Sequence, residues 1–194
     1  MARWDPDARG RLQRAAMELF ALQGFAETTV PQIAARAGVT TRTFFRYFAD
    51  KREVLFGSEA EMATAVADLI AGAPADHSAV AVIEHALTAT AESLFEPRRD
   101  EMRRWREIVD SDDALRERGL SKQRSIVAAA VDALVDRGFD AATADLAAGV
   151  GFVAFQSAAT AWHADVDAAR PLTSYVEDAF LWLRAMAISR DGGR

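Results

Sequence analysis

A chain of 194 residues that is 51% hydrophobic can bury a core either as one unit or as a small head on a larger body. It has no cysteine, which excludes a disulfide framework, a thiolate metal site and a cysteine nucleophile, and no apolar run approaches the ~20 residues of a membrane span. The net charge of −6 is unevenly spread: residues 1–56 carry 9 Lys/Arg against 6 Asp/Glu, and residues 57–194 carry 14 against 23, so an acidic chain still has a basic N-terminal part able to face phosphates.

Abundant alanine, leucine, arginine and glutamate, with no asparagine, point to an all-α fold. No signal-peptide pattern opens the chain, so a soluble, cytoplasmic protein is expected. In chain order, a first helix is predicted from Asp7 to Gln23, with Leu12, Ala15, Ala16, Leu19 and Phe20 on one face and Gly24 closing it. Thr29, Pro31 and Gln32 form a capping box that starts a second helix, which Gly38 stops. Thr40 caps a third helix through Phe48. Asp50 and Glu53 start a fourth, running to Ile70. Residues 71–77 read as a loop, Ser78 caps a helix to Glu96, and Pro97 breaks it. Further helices are predicted over 98–110, over 121–137 after a polar turn, from Ala142 to Asp165, and over 173–189. The tail Asp191–Arg194 is expected to fray.

The stretch from Ile33 to Phe48 carries the chemistry. Two short helices around a glycine-centred turn make the helix-turn-helix layout. Ala34 and Ala37 are small where the helices cross, Gly38 lets the backbone bend, and Val39 plugs the turn. Phe44 and Phe48 face inward at an i,i+4 spacing. Thr40, Thr41, Arg42, Thr43, Phe45, Arg46 and Tyr47 are left around the exposed side. Arginine can pair with guanine, and threonine reaches phosphate or a thymine methyl.

The run Thr28-Thr29-Val30, Ile33-Ala34, Ala37-Gly38-Val39-Thr40, Thr43-Phe44-Phe45-Arg46-Tyr47-Phe48, Lys51 and Leu55, with Ala15-Ala16, Leu19-Phe20 and Gly24-Phe25 upstream, resembles the DNA-binding domain of TetR-family repressors. The resemblance covers about residues 9–56. It implies a DNA-binding head over residues 1–50 and an effector-binding, dimerising body over residues 51–194. It also implies phosphate contacts from Thr29, Lys51 and Tyr47, and a recognition helix bearing Thr41, Arg42, Thr43, Phe45 and Arg46. Family members often carry tyrosine where this chain has Phe45, which leaves an apolar contact to a thymine methyl.

In the body, Gly151, Ala154, Ala158 and Ala161 form a small-residue stripe that permits close helix approach, here read as contact with a second chain. Tyr175, Ala179, Trp182, Leu183 and Met186 offer apolar faces on the last helix, and the resemblance implies a homodimer through such C-terminal helices. An effector pocket is expected among Phe152, Phe155, Gln156 and Trp162, closed by Phe95, Met102, Trp105 and Ile108, with His85 and His163 as polar neighbours. The arginines between Arg98 and Arg106 read as a solvated face or, alternatively, as a site for an anionic head group. The body resembles actinobacterial TetR-like regulators that respond to acyl-CoA-like effectors, so the expected effector is hydrophobic or amphipathic.

The implied function is a repressor that binds double-stranded, palindromic operator DNA as a dimer and is released by a small molecule. No cofactor, metal or membrane partner is expected. No nucleophile elbow, metal-binding His-Glu motif or glycine-rich phosphate loop supports an enzyme. A helical adaptor whose head binds protein is the other reading weighed.

Overall fold

A computed structural model of the chain describes residues 7–57, 59–165, 167 and 170–188. Its α-helices are α1 (Ala8–Gln23), α2 (Val30–Arg36), α3 (Thr41–Tyr47), α4 (Glu53–Phe56), α5 (Glu59–Ala71), α6 (Ala79–Thr90), α7 (Arg99–Asp110), α8 (Asp113–Asp136), α9 (Ala141–Ala164) and α10 (Leu172–Ile188), and there is no strand among the described residues. The expected all-α class is what the chain adopts. No helix among the described residues is long and apolar enough to cross a membrane. The tail Asp191–Arg194 lies outside the described residues.

The helices divide into two compact units. One takes in residues up to 59 together with 100–122, the other residues 60–99 and 123 onward. In the first, Leu12, Ala15, Ala16 and Phe20 of α1 meet Ile33, Ala37, Phe44 and Phe48. Val54, Leu55 and Phe56 of α4 join the same core, as do Ile108, Val109 and Leu115. The segment 100–122, placed with the body on sequence grounds, thus packs with the helix-turn-helix. The reason is apolar: Ile108, Val109 and Leu115 are all buried there, and the Trp105 indole donates to Leu55 O at 2.9 Å.

The second unit has its own core. Val82, Ile83 and Ala86 of α6 pack with Ala144, Ala147, Ala148, Ala154, Ala158 and Trp162 of α9, and Leu172, Val176 and Phe180 of α10 close it.

Three boundaries differ from the sequence expectations. The helix predicted from Asp50 to Ile70 is two helices, α4 and α5. Asp50 does accept from the Glu53 amide at 3.0 Å, but Glu53 does not return the bond; its carboxylate pairs with Arg118 and Lys122 instead. The polar turn predicted before residue 121 is helical, because Asp112 caps the start of α8 through the Leu115 amide at 3.1 Å. Finally, the helix predicted to Glu96 is regular only to Thr90, the end of α6: the next turn, Ala91–Phe95, is π-helical and leads into a 3₁₀ turn, Glu96–Arg98. Pro97 has no N–H to give and its ring presses on the carbonyl four residues back, so a widened turn relieves the crowding.

Candidate nucleic-acid interface and the body surfaces

The helix-turn-helix is built by short-range bonds. Thr29 has an extended backbone before α2 and accepts from the Gln32 amide, while Gln32 Oε1 accepts from the Thr29 amide at 2.8 Å. The turn pivots on Gly38 at φ 68°, the left-handed region that glycine enters without strain. Thr40 repeats the capping of Thr29, its hydroxyl accepting from the Thr43 amide at 3.2 Å and lying 3.1 Å from the Thr43 hydroxyl. Phe44 is fully buried, and Phe48 and Phe45 lie against it with ring centroids 5.5 Å away. This anchors one side of α3 and turns the other out.

The outward side holds Thr41, Arg42, Phe45 and Arg46, all exposed. Phe45 is 58% exposed, unusual for a phenylalanine, and gives α3 an apolar tip. Among the described residues Arg42 makes no ion pair or hydrogen bond. Arg46 stacks over the Tyr47 ring at 4.7 Å and donates to its hydroxyl at 2.8 Å, so the two side chains stand as one pre-oriented pair.

Lys51 requires a correction. Its ammonium was expected to aim at phosphate, yet all three protons are taken by backbone carbonyls: Phe25 O at 2.8 Å, Ala26 O at 3.1 Å and Thr28 O at 2.9 Å. It also lies 4.3 Å from the centre of the Phe25 ring. Lys51 therefore ties down the loop between α1 and α2. Thr29 is likewise committed, its hydroxyl donating to Gln32 Oε1 at 3.0 Å. Two other arginines brace α2: Arg11 donates to Ala37 O at 3.1 Å, and Arg36 pairs with Glu18 at 2.7 Å. Beside them, burial works to raise the Asp50 carboxyl, but the Arg52 guanidinium and the amides of Glu53 and Arg52 outweigh it and hold it below the usual carboxylate value.

In the second unit the expected pocket residues are only partly brought together. Phe95, on the π-helical turn, meets Phe155 edge-on with centroids 5.2 Å apart. Trp162 is fully buried, stacked by Arg99 at 4.7 Å, and its indole Nε1 has no hydrogen-bond partner. Phe152 and Gln156 are half-buried on the same helix. Met102, Trp105 and Ile108 belong to the first unit, where Trp105 lies edge-on to Phe56 at 5.9 Å. The unforeseen member is Arg99, which donates to Trp162 O at 2.7 Å and Asp165 O at 2.8 Å and closes the C-terminal end of α9.

The small-residue stripe also needs correcting. Gly151, Ala154 and Ala158 face their own chain; a Cβ on Gly151 would come within 2.1 Å of Ile83 Cγ2 on α6. They let α6 and α9 approach within one molecule, and a helix face has room for only one such neighbour. Ala161 is exposed. Tyr175 and Ala179 pack against the core, with the Tyr175 hydroxyl donating to Asp165 at 3.0 Å. Burial, then the hydrogen bond to Asp165, raise the Tyr175 pKa. Trp182 and Met186 are exposed, at 71% and 59%. On α9, Leu146 and Val153 are open at 68% and 65%. Residues 146, 150 and 153 repeat at helical spacing opposite the buried alanines, a signal present in the sequence and masked by the more conspicuous small residues.

Residues 12–57 match the sequence model described as bacterial regulatory proteins, tetR family. A stretch of 46 residues is 56% identical to the HTH-type transcriptional regulator TcmR of Streptomyces glaucescens, covering 24% of this chain and 20% of that protein. The N-terminal head, residues 12–57, is of the TetR type. The match to TcmR spans about a fifth of that relative's length, so it concerns the head alone. Whole-chain likeness comes from solved structures. Thermus thermophilus FadR, a TetR-family repressor in complex with lauroyl-CoA, is 26% identical with a TM-score of 0.52, over 90% of this chain and 92% of that one. SmeT in complex with triclosan is 21% identical with a TM-score of 0.58, over 94% and 90%, and shares the fold. SmeT is the repressor of a multidrug efflux pump of Stenotrophomonas maltophilia.

Proposed function

We propose that the protein is a sequence-specific, DNA-binding transcriptional repressor of the TetR type, not an enzyme, that binds a palindromic operator as a homodimer and is released by a small molecule. The observation that carries this reading is the outward face of α3. A helix locked inward by Phe44 and capped by Thr40 presents Arg42, Phe45 and the Arg46–Tyr47 pair together. Such a face suits the major groove: Arg42 reaches guanine, Phe45 meets a thymine methyl, and Arg46 and Tyr47 sit on phosphate, with Thr41 and Thr43 near the helix start. Lys51 and Thr29 act by holding the loop and the second helix in place.

One short recognition helix reads only a few base pairs, so two heads related by a two-fold axis are needed for a long site. The open face of α9 and α10 is the surface proposed to pair them. The effector is proposed to bind in the second unit near Phe95, Phe155 and Trp162, where a buried indole N–H is left to meet an acceptor on an otherwise apolar ligand. The lauroyl-CoA of FadR and the triclosan of SmeT support a hydrophobic or amphipathic class.

The test is selection of genomic DNA fragments by the purified protein, followed by salt-titrated binding to the enriched sites. Enrichment of one pseudo-palindrome and a steep salt slope are expected. Arg42→Ala is expected to weaken binding to that site about 10- to 100-fold while leaving the melting temperature unchanged. No enriched sequence, from folded protein free of ligand, overturns the repressor reading in favour of the protein-binding adaptor.

A further inference from the structure

Phe45 is the large hydrophobic side chain that α3 leaves exposed. Its ring is held from beneath: it stands edge to face with Phe44, centroids 5.5 Å apart and planes at 82°, and Phe44 is fully buried in the head core. The helix therefore carries an apolar probe whose direction is set before DNA arrives. Having no hydroxyl, Phe45 can neither donate to a phosphate oxygen nor pair with a base edge. In the major groove one group that distinguishes the bases is apolar, the methyl on C5 of thymine. The others are donors and acceptors that a phenyl ring would strip of water and leave unpaired. Arg42 lies three residues earlier on the same exposed side. That spacing is about 5–6 Å on a helix surface, against a rise of about 3.4 Å per base pair.

We infer that Phe45 reads the C5-methyl group of a pyrimidine as such, roughly one or two base pairs from the guanine read by Arg42, so that 5-methylcytosine at that position is told from cytosine as thymine is told from uracil. This rests on the DNA-binding reading and deepens it, by naming the chemical group recognised and by adding a sensitivity to cytosine methylation. The methyl occupies the same place in the groove on either ring. An apolar side chain gains by covering it and gains nothing comparable from the C5 hydrogen of an unmethylated base. The contact thus discriminates by one buried methyl group, about 4-fold in affinity for each half-site. Little of that gain is lost to ordering, because Phe44 already holds the ring.

The test uses duplexes carrying the site that the full chain enriches from genomic DNA. Deoxyuridine replaces each thymine in turn, which removes the methyl and nothing else. One position in each half-site is expected to lose about 4-fold in affinity. Cytosine and 5-methylcytosine, each placed there opposite guanine, are expected to differ by about the same factor, the methylated base binding tighter. Phe45→Ala, at a residue 58% exposed, is expected to leave circular dichroism and the melting temperature unchanged. It should bind the thymine site about 10-fold more weakly and lose both differences. If no thymine of an enriched site responds to deoxyuridine, or if cytosine and 5-methylcytosine bind alike, methyl recognition is overturned and the repressor reading stands; both comparisons use the unaltered protein. Differences that persist in Phe45→Ala overturn the assignment to Phe45. A failure to enrich any sequence overturns the inference and the repressor reading together.

Discussion

Thr29 caps α2 through a residue three positions away, whereas Glu96 caps α10 by accepting from the Thr173 amide at 2.9 Å across 77 positions. The contrast runs through both units. In the helix-turn-helix, Thr29, Thr40 and their partners Gln32 and Thr43 are local, and the motif can be read by eye. In the second unit α6 and α9 start on local caps, Ser78 and Asp140, but other helix ends are held from afar. Arg99 closes α9, Arg137 donates to the carbonyls of Ile70 and Ala71 in the last turn of α5 and of Pro74 beyond it, and between the sides of α10 and α6 Arg184 grips Glu84 at 2.7 Å. A local device leaves a spacing in the sequence. A distant one leaves two unremarkable residues whose pairing exists only once the chain is folded.

The largest test of that contrast is at Gly151. Its missing Cβ is the reason α6 and α9 lie close, so Gly151→Ala should force Ile83 and Leu87 aside and cost about 2–3 kcal/mol, despite alanine's better helix propensity. Urea unfolding of the full chain measures it. A loss under 0.5 kcal/mol would mean that the two helices separate freely and that the second unit is not packed as described.

Lys51 sharpens the comparison from the other side, as a distant device inside the legible head. Lys51→Met keeps the stem over Phe25 but leaves three carbonyls without their shared donor, and should cost about 2 kcal/mol of stability. A residue serving only phosphate would change the salt dependence of DNA binding and leave the melt untouched, so unfolding in the absence of DNA separates the two roles. Smaller still is Glu96→Ala, expected to cost about 1 kcal/mol as a lost helix cap, with Glu96→Gln restoring most of it because an amide oxygen still accepts.

These cases explain how much could be read beforehand. The all-α class, the capped helices α2 and α3 and the inward Phe44 followed from periodicity and i,i+3 pairs. The Lys51 contacts, the split of α4 from α5, the packing of Trp105 and Ile108 with the head, and the direction of the Gly151 stripe did not. Each depends on which distant segment wins a given surface. Small residues at helical spacing say that something comes close, not what comes close. The stripe reads equally well as contact with a second chain, although its neighbour is Ile83, and the opposite face, with Leu146 and Val153, has a plainer apolar repeat.

The finest test concerns charge at the caps. The helices of the helix-turn-helix are capped by Thr29 and Thr40, whose hydroxyls do not titrate in the acid range, while α9 is capped by Asp140. The Asp140 carboxylate accepts from the Thr143 hydroxyl at 2.7 Å and the Thr143 amide at 3.0 Å, and these bonds, the hydroxyl's first, hold its pKa below the ordinary value of 3.8. A carboxyl depressed in the folded state contributes stability that is present above its unfolded pKa and is lost as pH falls through the folded one. Asparagine caps about as well but carries no charge to lose. Asp140→Asn and the wild type should therefore melt alike near neutrality. The wild type should lose stability faster below about pH 4. Thermal unfolding followed by circular dichroism across that range reads the difference, and parallel curves for the two proteins down to pH 2 would place the source of any acid sensitivity in other carboxylates, Asp50 beside Arg52 among them.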